Sequence, residues 1–89
     1  MKIGTCPCCG YQTLGGHLVE DYSICPICFW ESDPVQNENP DYEGGANTVS
    51  LRVGQHNFFV FGACELTMKA HVRPPLKDES KDPTWKPIE

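Results

Sequence analysis

Two short cysteine turns constrain this chain more than any other part of its sequence. The first reads Cys6-Pro7-Cys8-Cys9-Gly10 and the second reads Cys25-Pro26-Ile27-Cys28. Each turn places two cysteines three positions apart, so that both sulfurs can point to one place, and two such turns can surround an ion tetrahedrally. The spacing therefore predicts a metal site with Zn²⁺ as the ion and four ligands: Cys6, Cys9, Cys25 and Cys28.

Two alternatives to zinc have to be weighed for these cysteines. Iron is the alternative metal, because four thiolates at this spacing accept either ion. Disulfide pairing is the alternative chemistry, and it would apply in a secreted protein. The sequence has no apolar run long enough for a signal peptide near its start, and none that approaches a membrane span. We therefore expect a cytoplasmic protein without membrane contact, whose thiols are free to bind metal.

The length of the chain favours a structural role for the metal. Its 89 residues form one small domain, which buries too little surface to be stable without a cross-link. Structural zinc contributes roughly 10–16 kcal/mol of apparent folding free energy. We place the metal-stapled domain at 1–72. At 73–89 we expect an extended or partly disordered C-terminal segment, because prolines alternate there with charged residues.

The segment between the cysteine turns predicts a β-hairpin. Tyr11–Leu14 and Tyr22–Cys25 are rich in residues that favour strands, and Gly15-Gly16-His17 suits a loop between them. Gly10 tolerates a positive φ after the first turn. The second turn has Phe29 in that place, so it must close differently or hold strained backbone.

One α-helix is predicted over about 50–61. Ser50 is a good N-cap, and Gly62 suits a C-terminal stop after Phe61. Gly54 in the middle of the helix indicates a close contact there. Apolar residues fall on more than one face of this helix, so we expect the C-terminal segment or another chain to cover it, and a homodimer is left open. The fold class we expect is a small metal-stapled α+β domain, namely a zinc ribbon with two cysteine knuckles, a short hairpin, one helix and an extended proline-rich tail.

A surface loop is predicted over residues 29–48, because prolines and glycines interrupt any helix or strand there. Four apolar side chains are expected to hold this loop against the domain: Phe29, Trp30, Val35 and Tyr42. Its acidic residues could gather around a hard cation such as Ca²⁺. Their spacing does not match an EF-hand, however, and we favour solvated acids.

The first half of the chain is strongly acidic. Seven acidic residues and no lysine or arginine lie between Lys2 and Arg52. Nucleic-acid binding needs basic residues beside the cysteine turns, so we exclude it as a function. An acidic surface can instead attract a basic protein partner.

The remaining cysteines and histidines carry weaker signals. Cys8 sits at the variable position of its turn and is interpreted as a bystander thiol, with an exchanging ligand or a reactive thiol as alternatives. Cys64 is expected to be a small buried side chain, and nothing local favours a disulfide between the two. His17 could replace one thiolate, whereas His56 and His71 lack ligand spacing.

Catalysis has little support in the sequence. Four cysteine ligands leave no open position for water or substrate. The common hydrolase, phosphate-binding and dinucleotide-binding motifs are absent. A Cys8 nucleophile with His17 or His56 as its base is the alternative, and we expect a protein that is not an enzyme.

Several motifs together resemble the cysteine-rich CPCC domain family. They are Cys6-Pro7-Cys8-Cys9-Gly10, Ile24-Cys25-Pro26-Ile27-Cys28-Phe29-Trp30-Glu31, Gly44-Gly45-Ala46-Asn47 with Ser50-Leu51, Asn57-Phe58, Phe61-Gly62-Ala63-Cys64, and Asp82-Pro83-Thr84-Trp85-Lys86-Pro87. The resemblance implies a small, mostly bacterial domain that binds metal and has no well-established activity. Proteins of this kind sometimes resemble small partners encoded beside toxins.

These observations lead to one expected function and one alternative. We expect a cytoplasmic protein with a structural zinc site that acts by protein–protein contact, through its acidic half or its aromatic helix. Neutralising a basic toxin is one such role, suggested by analogy. The alternative is a thiol-based redox or metal-handling protein that uses Cys8.

Overall fold

The computed structural model describes residues 4–13 and 22–88. Two α-helices and one 3-10 helix lie in this part of the chain: α1 (Pro34–Glu38), α2 (Leu51–Phe61) and the 3-10 helix Leu66–His71. Strand pairing there consists of three isolated antiparallel bridges, which join Thr5 to Gln12, Tyr11 to Lys81 and Ile24 to Glu31. None of the helices described is both long and apolar enough to span a bilayer.

The predicted β-hairpin between the cysteine turns is not confirmed. Its loop and Leu14, the last residue of its first strand, fall at 14–21, which lie outside the described residues. Where the two segments are described, they pair elsewhere: Tyr11 pairs with Lys81, and Ile24 pairs with Glu31. The second of these bridges is local, because a cysteine turn reverses the chain and brings its own flanks together.

The two cysteine turns repeat one local structure. In the first, the Gly10 amide donates to the Cys6 carbonyl at 2.8 Å, and in the second the Phe29 amide donates to the Cys25 carbonyl at 2.7 Å. Gly10 has φ of 81° and Phe29 has φ of 70°, so both turns end in left-handed backbone. The second turn therefore keeps the geometry of the first and holds a non-glycine residue in a conformation that costs roughly 1–2 kcal/mol.

Helix α2 begins and ends where the sequence predicts. The Ser50 hydroxyl accepts a hydrogen bond from the Val53 amide, and Gly62 follows the helix in left-handed backbone with φ of 86°. Gly54 faces the core. A Cβ atom there would lie 3.3 Å from both the Cys8 sulfur and the Trp30 ring, which confirms the predicted close contact.

Residues 29–48 are held to the domain by polar groups more than by apolar ones. Trp30 is fully buried, but Val35 and Tyr42 are exposed, so these two do not anchor the loop as expected. The loop also contains α1, capped by Asp33. The buried Gln36 amide of α1 donates to the carbonyls of Asn47 and Val49, and its oxygen accepts from the Asn47 amide.

The C-terminal segment packs on the first cysteine turn. The Gln12 amide donates to the Ser80 carbonyl at 3.0 Å, and the Asp82 amide donates to the Gly10 carbonyl at 2.8 Å. The Trp85 indole N–H donates to the Pro7 carbonyl at 2.9 Å. Although the segment was expected to be extended or partly disordered, its described residues form specific contacts. The domain boundary at 73 stays a prediction.

The core is built around the cysteines. All six are buried, together with Ile27, Trp30, Leu51 and Ala63. The cysteine turns, α2 and the C-terminal segment surround this core, and they place the four predicted ligands at its centre.

Candidate metal centre

Four cysteine sulfurs converge inside the core. The Sγ atoms of Cys6, Cys9, Cys25 and Cys28 all lie within 4.8 Å of one another, and all four residues are buried. Two of the distances cross between the turns: Cys6 Sγ lies 3.5 Å from Cys28 Sγ, and Cys9 Sγ lies 3.6 Å from Cys25 Sγ. The two turns thus face each other, as their spacing predicts.

The geometry of these sulfurs suits a tetrahedral metal ion. Four sulfurs placed 2.3 Å from a central zinc lie roughly 3.8 Å apart, close to the two distances between the turns. A cluster of four thiols without an ion would bury only weak hydrogen bonds in the middle of the core. The residues present therefore fit a metal ion bound by four thiolates.

The electrostatics of the cluster favour a cation at its centre. Burial raises the pKa of Cys6 and of Cys28 well above the usual thiol value. The pKa of Cys25 is lowered instead, because hydrogen bonds from Cys28, Cys6 and Cys9 stabilise its thiolate. One buried thiolate can thus be supported by its neighbours. Ionising all four requires a positive charge among them.

Two further groups support Cys25. The Thr13 hydroxyl oxygen lies 3.0 Å from its sulfur, and the Ile27 amide donates to the same sulfur at 3.4 Å. Donors beside a coordinating atom fix its orientation and stabilise its negative charge. Thr13 could not be predicted from the sequence, because it lies outside both turns and no motif marks it.

Cys8 lies beside the cluster but is not one of the four converging sulfurs. Its side chain is 1 % exposed and packs where α2 passes at Gly54. The pKa of Cys28 is raised first by burial and also, to a smaller extent, by a hydrogen bond with Cys8. The bystander interpretation agrees with this placement. A thiol so well covered is a poor nucleophile for molecules in solution.

Cys64 is buried near the same place. Burial raises its pKa to about 12, with additional repulsion from Cys8 and Glu65. Its amide donates to the Cys28 carbonyl at 2.8 Å, which ties the end of α2 to the second turn. As predicted, Cys64 is a small buried side chain with a free thiol.

The other candidate ligands that the structure describes do not form a second group able to hold a metal. Among the residues described, the four cysteines are the one group of histidine, cysteine and acidic side chains arranged to hold a metal. His56 is exposed on α2, and His71 stacks on Phe29 at 5.4 Å. His17 lies outside the described residues. Of the loop acids, Asp41 pairs with Arg52 at 2.7 Å.

Asp33 has a structural role that the sequence analysis did not assign. One carboxylate oxygen caps α1 by accepting from the Val35 and Gln36 amides, and the other accepts from the Ala46 amide at 2.8 Å. Burial opposes its ionisation, but these three donors prevail and hold the pKa of Asp33 below its usual value.

Comparison with known proteins agrees with this cysteine framework. No curated protein gives a significant match to the sequence. The profile of the family described as "Cysteine-rich CPCC" matches residues 4–79, which include all six cysteines, α1, α2 and the 3-10 helix. The match covers most of the chain, and the four converging thiols lie within it. The chain therefore belongs to the cysteine-rich CPCC family.

Proposed function

We propose that the four converging cysteines bind one Zn²⁺ ion, which stabilises the fold and takes no part in chemistry. The observation that carries this proposal is the convergence of four buried sulfurs from two facing turns. Zinc suits a tetrahedral set of four thiolates, and four protein ligands leave no position for water or substrate. We therefore propose a role other than catalysis.

Single serine substitutions test the ligand assignment. Cys6→Ser, Cys9→Ser, Cys25→Ser and Cys28→Ser should each lower the zinc content and the thermal stability. Cys8→Ser and Cys64→Ser are matched controls, because both cysteines are buried beside the cluster without belonging to it. Metal analysis of the six purified variants should show reduced zinc in the four ligand variants and full zinc in the two controls. If one of the four ligand variants kept its full zinc content, the substituted cysteine would not be a ligand. Iron in the wild-type protein would contradict the assignment of the metal as zinc.

We further propose that the zinc-stabilised domain acts by binding another protein through α2. Phe59 is 89 % exposed and Val60 is 61 % exposed on this helix. Exposed apolar side chains that lie together mark surfaces where proteins bind, and aromatic residues are enriched where interfaces form. A rigid helix on a metal-stapled framework presents them without further ordering.

Substitution of Phe59 tests this binding surface. The side chain is almost fully exposed, so Phe59→Ser should leave the fold and the zinc content unchanged. Capture of partner proteins by the immobilised variant should fall relative to wild type. Lys77→Ser, at an exposed position outside α2, is the matched control and should capture as wild type does. Equal capture by all three proteins would contradict a role for α2.

The acidic first half of the chain suits a basic partner. Seven acidic residues precede Arg52 without a compensating lysine or arginine after Lys2, and four bound thiolates with zinc add a net negative charge. A basic toxin would be one such partner. Complex formation with a basic protein should weaken as ionic strength rises, because exposed charges are screened by salt. Salt-independent binding would argue for apolar contact at α2 alone.

A metal-handling function that uses Cys8 is the second candidate. It is favoured by the position of Cys8 in the same buried cluster as the four converging cysteines, and burial of Cys8 counts against it. The rate of zinc transfer to a chromogenic chelator distinguishes the two functions. If the zinc is structural, Cys8→Ser should transfer zinc at the wild-type rate. A large change in that rate would favour an exchanging ligand.

A further inference from the structure

We propose that the groove between α2 and the C-terminal segment binds a small organic acid with an aromatic or bulky apolar body. The groove has a volume of about 560 Å³. One side is formed by Gln55, Phe58 and Phe59 of α2, and the other by Lys81, Trp85 and Pro87. Cys8 of the first cysteine turn also lines the groove, but none of the four proposed zinc ligands does. The ligand site goes beyond the proposed function.

The walls of the groove are mainly apolar and aromatic. Phe58, Phe59, Trp85 and Pro87 present rings and aliphatic carbons, and the volume falls in the range of small-molecule pockets. Phe59 leaves most of its surface in water. An apolar body placed between these side chains would bury aromatic surface from both walls.

Among the described residues that line the groove, Lys81 is the one cation. The Lys81 Nζ atom is 4.9 Å from the centre of the Trp85 ring and 5.1 Å from the centre of the Tyr11 ring. The rings hold the ammonium by cation–π attraction and leave its hydrogen-bond donors unused. No carboxylate among the described residues pairs with Lys81, although the chain has an excess of acidic residues.

The other polar groups on the walls are already engaged. The Gln55 amide nitrogen donates to the Pro7 carbonyl, and its oxygen accepts from the Ile88 amide at 2.7 Å. The Trp85 indole N–H donates to the same Pro7 carbonyl. Because these groups hold the walls together, the charge on Lys81 is left as the polar group that selects a ligand.

The groove is also formed before a ligand arrives. The bridge between Tyr11 and Lys81 fixes the backbone that carries the cation, and the Trp85 amide donates to the Asp82 carbonyl at 3.1 Å. A preformed site binds without the cost of ordering its walls. Aromatic walls with one adjacent, unpaired ammonium match an apolar body that carries one negative charge.

The proposal is tested with the full zinc-loaded chain and three small probes of similar shape. They are naphthoate, neutral naphthalenemethanol and cationic naphthylmethylammonium. Binding is followed by two-dimensional NMR of the backbone amides and of the two indole N–H groups. Naphthoate should shift the signals of Phe58, Phe59 and the Trp85 indole. The Trp30 indole is an internal control: its ring is fully buried and does not line the groove, so its signal should not shift.

Variants separate the charge from the apolar walls. Lys81→Met keeps the length of the side chain and the backbone bridge, and it should weaken naphthoate binding roughly fivefold, as expected for one exposed ion pair. Lys81→Arg should restore the affinity. Lys86→Met is the matched control, because Lys86 is an exposed lysine of the same segment that does not line the groove, and it should bind as wild type does.

The neutral probe keeps the test decisive if Lys81→Met does not fold. On wild type it should bind roughly fivefold more weakly than naphthoate, and the cationic probe should bind more weakly still. Equal affinity for the three probes would overturn the proposal. So would the absence of a Trp85 shift at millimolar naphthoate. Self-association of the chain that closes the groove, seen by sedimentation, would assign it to a second copy and overturn the proposal as well.

Discussion

At the scale of single residues, a few positions are fixed by how closely other atoms approach. Gly10 and Gly62 both have positive φ, of 81° and 86°, but their surroundings differ. A Cβ atom at Gly10 would lie 2.5 Å from the Trp85 ring, whereas one at Gly62 would meet nothing within 4 Å. A side chain at Gly62 would therefore meet backbone strain alone, whereas one at Gly10 would meet backbone strain and a steric clash.

Alanine at these two glycines should have unequal effects. Gly62→Ala should destabilise the protein by about 1 kcal/mol, which is the cost of left-handed backbone for an L-residue. Gly10→Ala should cost about 1–3 kcal/mol more, because the Trp85 ring must also move. Chemical denaturation of both variants measures the difference. Equal losses would show that Trp85 does not pack on Gly10.

Substitution of Gly54 by alanine tests the packing of α2 on the cysteine core. Alanine favours a helix by about 1 kcal/mol over glycine. The new methyl would meet the Cys8 sulfur and the Trp30 ring at 3.3 Å, however, and both side chains are buried with little room to move. Gly54→Ala should therefore lower the unfolding free energy by about 1–2 kcal/mol.

The exposed helix position His56 provides the matched control for that substitution. His56→Ala should change stability by less than about 0.5 kcal/mol, as surface substitutions usually do. Urea denaturation of both zinc-loaded variants gives the comparison. A Gly54→Ala protein as stable as wild type or more so would contradict the contact.

At the scale of secondary-structure elements, one carboxylate joins α1 to the loop that follows it. Asp33 caps α1 with one oxygen and accepts from the Ala46 amide with the other. Gln36 and Asn47 continue the connection, since the Asn47 side-chain amide donates to the Gln36 oxygen at 2.8 Å. These bonds satisfy backbone groups in a segment that has little regular structure.

Asp33→Asn should weaken this connection. Asparagine can still cap the helix, but its NH₂ group cannot accept from the Ala46 amide, and the loss should be about 1–3 kcal/mol. Because the pKa of Asp33 is lowered in the folded state, its contribution is complete at neutral pH and is lost as the pH falls through that lowered pKa. Denaturation at pH 7 should show the full difference between the two proteins.

Acidification tests whether the contribution of Asp33 depends on its negative charge. The difference in unfolding free energy between wild type and Asp33→Asn should narrow as the carboxylate is protonated. Zinc content is measured at each pH, and the two proteins are compared only where both keep their zinc, so that the difference isolates Asp33. A constant or growing difference would contradict the role assigned to its charge.

At the scale of the whole molecule, features that depend on local sequence could be predicted, whereas contacts between distant segments could not. The spacing of the cysteines predicted the convergence of four sulfurs, and Ser50 and Gly62 predicted the ends of α2. The ends of α2 and the shape of each cysteine turn depend on neighbours a few positions away, and the metal-ligand spacing shared by the two turns indicated that they meet. The bridge from Tyr11 to Lys81 could not be predicted in this way, because no local pattern specifies a partner so far along the chain.

Two residues run against the usual preferences of their types. The left-handed Phe29 is one of the two alternatives that the sequence leaves open for the second turn, and it is imposed by the turn that positions Cys25 and Cys28. Buried Gln36 runs against its polarity, and the loop carbonyls around its side chain satisfy it. In both cases the tertiary environment overrides the local preference.

Removal of the segment after Glu79 tests how the molecule is assembled. The shortened chain keeps all six cysteines and the residues that match the family profile, so it should still bind one zinc ion. It loses the Trp85 packing and the bond from the Thr5 hydroxyl to the buried Asp82, and should be about 2–4 kcal/mol less stable. Cys8 should also become more accessible to alkylation.

Metal analysis, denaturation and thiol alkylation of the shortened protein check these three effects. Loss of zinc together with the segment would show that the C-terminal residues are needed for the metal site itself. Unchanged stability would show that they add little to the folded domain.

The most direct test of the central claim is a chelator titration of the purified protein, followed at once by zinc analysis and by two-dimensional NMR. We predict one zinc ion per chain, loss of the dispersed spectrum as that ion is removed, and its recovery when zinc is restored. A metal-free protein that keeps the dispersed spectrum would contradict the claim that an ion at the four cysteines holds the domain together.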